Sequence, residues 1–151
     1  MKIFKENLNI AYLHLDRLKK ASNEIKEKGL VENFNIDDFE TVKVIDTFIY
    51  RFLKLQDFMG QKLFRRFLMV IGDFYEDMSF IDILDKLEKL NIITSSDDWI
   101  RIRKLRNKLT HEYPGEIEEM KNEILMAIEM IHLFEETLKS IEEYLRRRNL
   151  L

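Results

Sequence analysis

The chain has 151 residues, 46% hydrophobic and 35% charged, with a formal net charge of −3 at pH 7, 4 glycines, 1 proline and no cysteine. That length supports one domain with a sizeable core. The lack of cysteine excludes disulfides and thiolate metal sites, and the acidic balance confines any nucleic-acid binding to a local basic patch.

No apolar run approaches the ~20 residues needed to cross a bilayer, so no membrane association is expected. The start, Met1-Lys2-Ile3-Phe4-Lys5-Glu6, turns amphipathic at once and lacks the apolar stretch of a signal peptide. A cytoplasmic location is therefore expected.

The spacing of apolar residues is helical almost throughout. Phe4, Leu8, Ala11, Leu15, Leu18 and Ile25 step by threes and fours, with Ser22 in the gap, which predicts an amphipathic helix over 2–28. Gly29 is its candidate C-cap. A loop over 33–37 follows, with Asp37 as candidate N-cap. Residues 38–75 are apolar on more than one face, as expected of a central helix or one shared with a partner, and Gly60 is a candidate bend. Ser79 with Asp82 has the form of a capping box and opens a short helix to about Leu90. Ser95 with Asp98 repeats that form and opens a helix predicted to run through about Glu112, because Pro114 disfavours helical geometry at Tyr113. Ile117, Met120, Ile124, Ile128, Ile131, Phe134, Leu138, Ile141 and Leu145 mark a last helix over 116–148. No strand pattern, repeat or linker interrupts the series. The expected fold is a single all-α domain over 1–151, an antiparallel bundle of about five helices.

The helix before Pro114 carries the chemistry. Residues 101–108 hold Arg101, Arg103, Lys104, Arg106 and Lys108 with no acid among them, beside one of only 3 histidines. At about 100° per residue, Ile102, Leu105 and Leu109 share one face, with Trp99 at its edge, and that face should pack on the bundle. Asn107 and His111 are i,i+4 neighbours on a different face. Ile100 lies seven residues before Asn107 on that second face, which points to a homodimer contact that brings two copies of the segment together. Arg106 sits between the faces, within reach of His111.

These residue types suit cleavage of a phosphodiester. Cutting RNA without a metal needs a base for the 2′-OH, a cation for the charge on the phosphorane, and an acid for the leaving 5′ oxygen. Histidine serves as base or acid near neutral pH, arginine fits phosphate bidentately, and asparagine can orient either. On this basis Arg106, His111 and Asn107 are candidate catalytic residues, and Arg101, Arg103, Lys104 and Lys108 candidate RNA contacts. The same spacing has a plainer explanation. Acids at a helix start, here Asp97 and Asp98, and bases near its end suit the helix dipole without any function.

Arg106-Asn107-Lys108-Leu109-Thr110-His111-Glu112-Tyr113 resembles the Arg-x4-6-His signature of the HEPN superfamily and, more narrowly, the Arg-Asn-x-x-x-His-x-Tyr form of HepT-like toxins. The resemblance is specific over about eight residues and architectural over the rest. It implies a homodimeric, metal-independent and cofactor-free endoribonuclease whose active site forms at the dimer interface, with Arg106 and His111 catalytic and Asn107 in support. It also implies that Tyr113 is the tyrosine that a partner MNT-type nucleotidyltransferase antitoxin modifies with AMP, silencing the toxin.

Two other readings stand beside it: a non-catalytic substrate-binding subunit of a separate minimal nucleotidyltransferase, and a plain helical interaction protein. The chain has no Gly-Ser followed by paired Asp-x-Asp, so it does not carry nucleotidyltransferase activity itself. His14 and His132 fall off or beside their helices' apolar stripes and read as boundary or surface residues. The three histidines show no metal-ligand spacing. The methionines read as core filler. Arg146-Arg147-Arg148 reads as a solvated helix end, or as an extension of an RNA-binding surface, and Lys62, Arg65 and Arg66 are open in the same way.

Overall fold

A computed structural model describes residues 1–111 and 116–151. Among the described residues there is no strand. The helices are α1 (Lys2–Glu27), α2 (Phe39–Phe58), a π turn (Met59–Leu63), α3 (Phe64–Val70), α4 (Phe80–Lys89), α5 (Ser96–Leu109) and α6 (Ile117–Arg147). Since α2, the π turn and α3 follow without a break, the described residues make five helical rods, the all-α bundle expected. No helix among the described residues is long and apolar enough to cross a membrane.

The apolar stripes find one another as the periodicity requires. Phe4, Leu8, Ala11, Leu15, Leu18 and Ile25 are buried on α1, and Ile124, Ala127, Phe134, Leu138, Ile141 and Leu145 on α6. At the centre, Trp99 of α5 meets Phe64 edge-on at 4.8 Å and Phe134 at 5.4 Å, and Phe134 in turn meets Phe52 at 5.4 Å. Each such side chain contributes roughly 1.5–3 kcal/mol by leaving water, so this aromatic row ties α5 to the long middle rod and to α6.

Four helices stop in the same way. Gly29 (φ +59°), Gly72 (φ +80°), Asn91 (φ 60°) and Asn149 (φ 56°) follow the C-caps of α1, α3, α4 and α6. In each, the next residue's N–H reaches back to the last turn: Leu30 to Ile25, Asp73 to Leu68, Ile92 to Leu87 and Leu150 to Leu145. These are Schellman ends, which need the left-handed conformation that glycine and asparagine accept most readily. Gly29 was legible as such an end; Gly72 was not, and the middle rod stops at Val70 instead of running to 75.

The capping expectations divide. Ser79 and Asp82 form a reciprocal capping box at α4, at 3.1 and 3.0 Å. Ser95 occupies the N-cap of α5, but its side chain makes no capping bond, and Asp98 pairs with Arg101 instead. The neighbouring Ser96 hydroxyl donates to Asp85 at 3.1 Å and to Glu88 at 3.3 Å, tying the start of α5 to α4. Asp38 in place of Asp37 precedes α2, its carboxylate accepting the Thr41 hydroxyl at 2.7 Å. Gly60 falls in the π turn, buried against α4: a Cβ there would meet Gln56 Nε2 at 3.3 Å and Phe80 at 3.6 Å.

Candidate functional site

On α5 the stripe Trp99, Ile102, Leu105 and Leu109 is buried, as the spacing predicts. This presents the polar residues outward: Arg101, Arg103, Lys104, Asn107 and Lys108 are exposed, and Arg106 is half-buried at the edge. Ile100 is half-buried and packs against the core from the flank.

Arg106 does not turn along its own helix towards His111. Its guanidinium crosses to α2, donating from Nε to Asp57 Oδ1 and from Nη2 to Asp57 Oδ2, both at 2.8 Å. A carboxylate facing a guanidinium in this two-point geometry is a far better partner than a neutral imidazole, so the ion pair decides the rotamer. The Asp57 hydrogen bonds raise the Arg106 pKa above its ordinary value, so the group stays cationic. Among the described residues two of its five N–H donors are used, which leaves three for a ligand.

Arg106, Asn107 and Asp57 border a polar pocket of about 270 Å³ between α5, the π turn and the start of α4. Gln56 and Gln61, the chain's only glutamines, line it, as do Arg65, Arg103 and Phe80. The Arg103 guanidinium lies 4.7 Å from the Phe80 ring centroid. A π turn displaces the backbone by one residue and often marks a functional site; here it brings Gly60 and Gln61 up to the pocket wall. Three guanidiniums against one carboxylate make the pocket net cationic, suited to an anionic ligand carrying hydrogen-bonding groups.

The α5 helix ends earlier than predicted. Thr110 is the C-cap: its hydroxyl donates to the Asn107 carbonyl at 2.6 Å, and the His111 N–H donates to the Lys108 carbonyl at 3.1 Å. These short-range bonds satisfy terminal carbonyls that another helical turn would have used. His111 therefore lies beyond the helix and is exposed. It borders a second depression, an apolar groove of about 680 Å³ walled by Phe34, Ile45, Ile49, Leu53 and Met120. Asn107 lines the Arg106 pocket and His111 the groove, so the two do not share one depression within a chain. Asp57 and Leu53, one turn apart on α2, stand at the pocket and at the groove respectively.

Of the remaining candidates, Lys104 and Lys108 are exposed on α5. Tyr113, with Glu112 and Pro114, lies outside the described residues. Among the described residues no three His, Asp or Glu side chains converge to hold a metal ion. His14 is half-buried and His132 exposed, the boundary and surface positions expected.

Sequence reasoning missed Asp57 and both glutamines. Asp57 is the sole acid between Asp46 and Asp73, set among Arg51, Lys54, Lys62, Arg65 and Arg66. A lone acid in a basic, otherwise apolar helix was the available signal. No family model matches the chain, and no curated protein matches it significantly.

Proposed function

We propose that the chain is a metal-independent endoribonuclease, a HepT-like toxin of the HEPN superfamily, acting in the cytoplasm as a homodimer. The observation that carries this reading is the Arg106 guanidinium, fixed by Asp57 at the mouth of a cationic pocket that Asn107 shares, with three donors left for a phosphate. In the proposed reaction His111 takes the 2′-OH proton. The 2′ oxygen bonds to phosphorus, the bond from phosphorus to the 5′ oxygen breaks, and the products are a 2′,3′-cyclic phosphate and a 5′-OH. Arg106 steadies the charge on the phosphorane. The acid that protonates the leaving oxygen comes from the second copy, brought near by a contact that includes Ile100. The separation of Arg106 and His111 into two depressions of one chain suits a site completed across two copies. Arg101, Arg103, Lys104 and Lys108 flank it as RNA contacts. A partner MNT-type nucleotidyltransferase transfers AMP to Tyr113, two residues after His111, and silences the toxin.

The test is RNA cleavage in the presence of EDTA. Arg106→Ala and His111→Ala should each lower the rate by about 10²–10⁴-fold, and the wild-type products should carry cyclic phosphate ends. Cleavage that needs a metal ion, or that survives both changes, overturns the reading.

A second reading draws on the apolar groove beside His111. A cleft of about 680 Å³ walled by aliphatic and aromatic side chains suits a substrate-binding subunit of a separate nucleotidyltransferase. In that case His111→Ala alters ligand affinity, and no preparation cuts RNA.

A further inference from the structure

The chain is acidic overall, and several cations of α1 and its C-cap have a carboxylate: half-buried Lys19 pairs with Glu135, and exposed Lys20 and Lys28 pair with Asp16 and Glu24. Three cations on the adjoining faces of α1 and α2 are different. Arg17, Arg51 and Lys54 have no carboxylate within ion-pair distance among the described residues. Arg51 and Lys54 lie over the Tyr50 ring, 5.1 and 5.6 Å from its centroid, and that residue is 50% exposed. Of the nearest acids on α2, Asp57 is committed to Arg106, and Asp46 stands one turn before Tyr50.

His14 reports that the cluster converges. Its ring sits between α1 and α2, 5.7 Å from the Phe58 ring, with Nδ1 buried and without a hydrogen-bond partner among the described residues. Burial lowers its pKa, and the fields of Arg51, Lys54 and Arg17, in that order, lower it further. The charges that act on the ring are thus all cations, while Asp46 lies on the far side of Tyr50, sharing a shallow depression with Tyr50 and Arg51 without an ion pair to Arg51 among the described residues.

The cluster also adjoins the site. Tyr50, Lys54 and Asp57 step along α2 by four and three, so they share one edge of the helix. Tyr50 borders the His111 groove and Asp57 borders the Arg106 pocket. An exposed aromatic ring flanked by unneutralised cations is the arrangement by which proteins hold unpaired nucleic acid: bases stack on the ring and phosphates meet the cations. A paired duplex hides its base faces and gains nothing from the ring.

We infer that the face formed by Arg17, Tyr50, Arg51 and Lys54 is the track along which RNA enters the site, and that the RNA it accepts is single-stranded. The inference rests on the ribonuclease reading for its ligand. It places the principal RNA contacts on α1 and α2, beside the basic side chains of α5.

The test is fluorescence anisotropy with a labelled 2′-O-methyl oligouridylate of about 12 nucleotides, a length in the range such tracks occupy. Lacking a 2′-OH, the probe binds without being cut. It is compared with its duplex and with phosphatidylserine-containing vesicles. Wild type should prefer the single strand. Arg51→Ala combined with Lys54→Ala should weaken binding about 10- to 100-fold, and the slope of log K against log salt should fall by roughly 1.4, about 0.7 for each phosphate no longer neutralised. Tyr50→Ala should weaken binding about 5- to 100-fold, as removal of a stacking ring does, and Tyr50→Phe should restore it. Lys28→Ala with Lys139→Ala, whose side chains pair with Glu24 and Glu135, should change nothing. Unchanged affinity in the double variant, no binding by wild type, preference for the duplex, or capture by vesicles in place of the strand overturns the inference. If the probe binds through this face while EDTA-resistant cleavage is absent, the nuclease reading fails and the track stands. If cleavage is intact and the double variant binds normally, the track fails alone.

Discussion

Arg106 on α5 and Asp57 on α2 are 49 residues apart in sequence and meet through two hydrogen bonds of 2.8 Å each. Their side chains are 27% and 31% exposed, so the pair is partly screened, and its geometry matters more than its energy. A double-mutant cycle of Asp57→Ala and Arg106→Ala should give a coupling of about 0.5–1.5 kcal/mol in denaturant unfolding. Zero coupling would show that the pair does not form in solution. On the proposed ribonuclease reading Asp57 acts through Arg106, so Asp57→Asn should lower kcat for RNA cleavage about 10- to 100-fold while leaving KM nearly constant, as expected when such a group loses its orientation.

Thr110 closes α5 with its hydroxyl on the Asn107 carbonyl at 2.6 Å, one residue before His111. Thr110→Val removes that bond with little change of shape. Stability should fall by roughly 0.5–1 kcal/mol; on the proposed ribonuclease reading, cleavage should fall more than stability accounts for, since His111 leaves the helix from this cap. Thr110→Ser should recover both. Equal activity of the Val variant, measured on fully folded protein, would separate the cap from catalysis.

The lowered pKa of His14 gives stability a defined pH dependence. Below its ordinary value of 6.5 the unfolded chain binds a proton there that the folded chain resists. Unfolding therefore takes up protons in that window, and the stability contributed by neutral His14 is fully present above 6.5 and is lost as pH falls. His14→Phe, which keeps the contact with Phe58, should flatten the unfolding free energy between pH 5 and 7 (about the interval in which an ordinary histidine titrates). An NMR titration should show the His14 pKa rising when the oligonucleotide binds, because phosphates offset the nearby cations.

Glu123 on α6 is 4% exposed, and among the described residues neither carboxylate oxygen has a partner. A buried polar group without a hydrogen bond costs about 1–3 kcal/mol. Glu123→Leu should recover about 1 kcal/mol of that and raise Tm by roughly 2–4 °C for a chain of this size. A lower Tm would mean that the carboxylate is solvated or paired.

The helices, their buried stripes and the α4 capping box were legible because they rest on interactions within about four residues: 3.6-residue periodicity, hydroxyl-to-amide caps and left-handed glycines. The stripe Trp99, Ile102, Leu105 and Leu109 is of this kind, and so is the outward presentation of Asn107. The end of α5 was less legible, since its stop at Leu109 uses the Thr110 hydroxyl, whereas Pro114 suggested a later one. Three relationships depend on which helices lie side by side, and no local rule supplies that: Arg106 with Asp57, Gln56 and Gln61 with one pocket, and Arg17 with Arg51 and Lys54. The sequence by itself determined an all-α bundle and put an arginine, an asparagine and a histidine at one helix end. Only the tertiary structure decided that the arginine is held across the bundle by Asp57 and that His111 faces an apolar groove, because the strongest charge partner and most of the nearest apolar walls belong to α2.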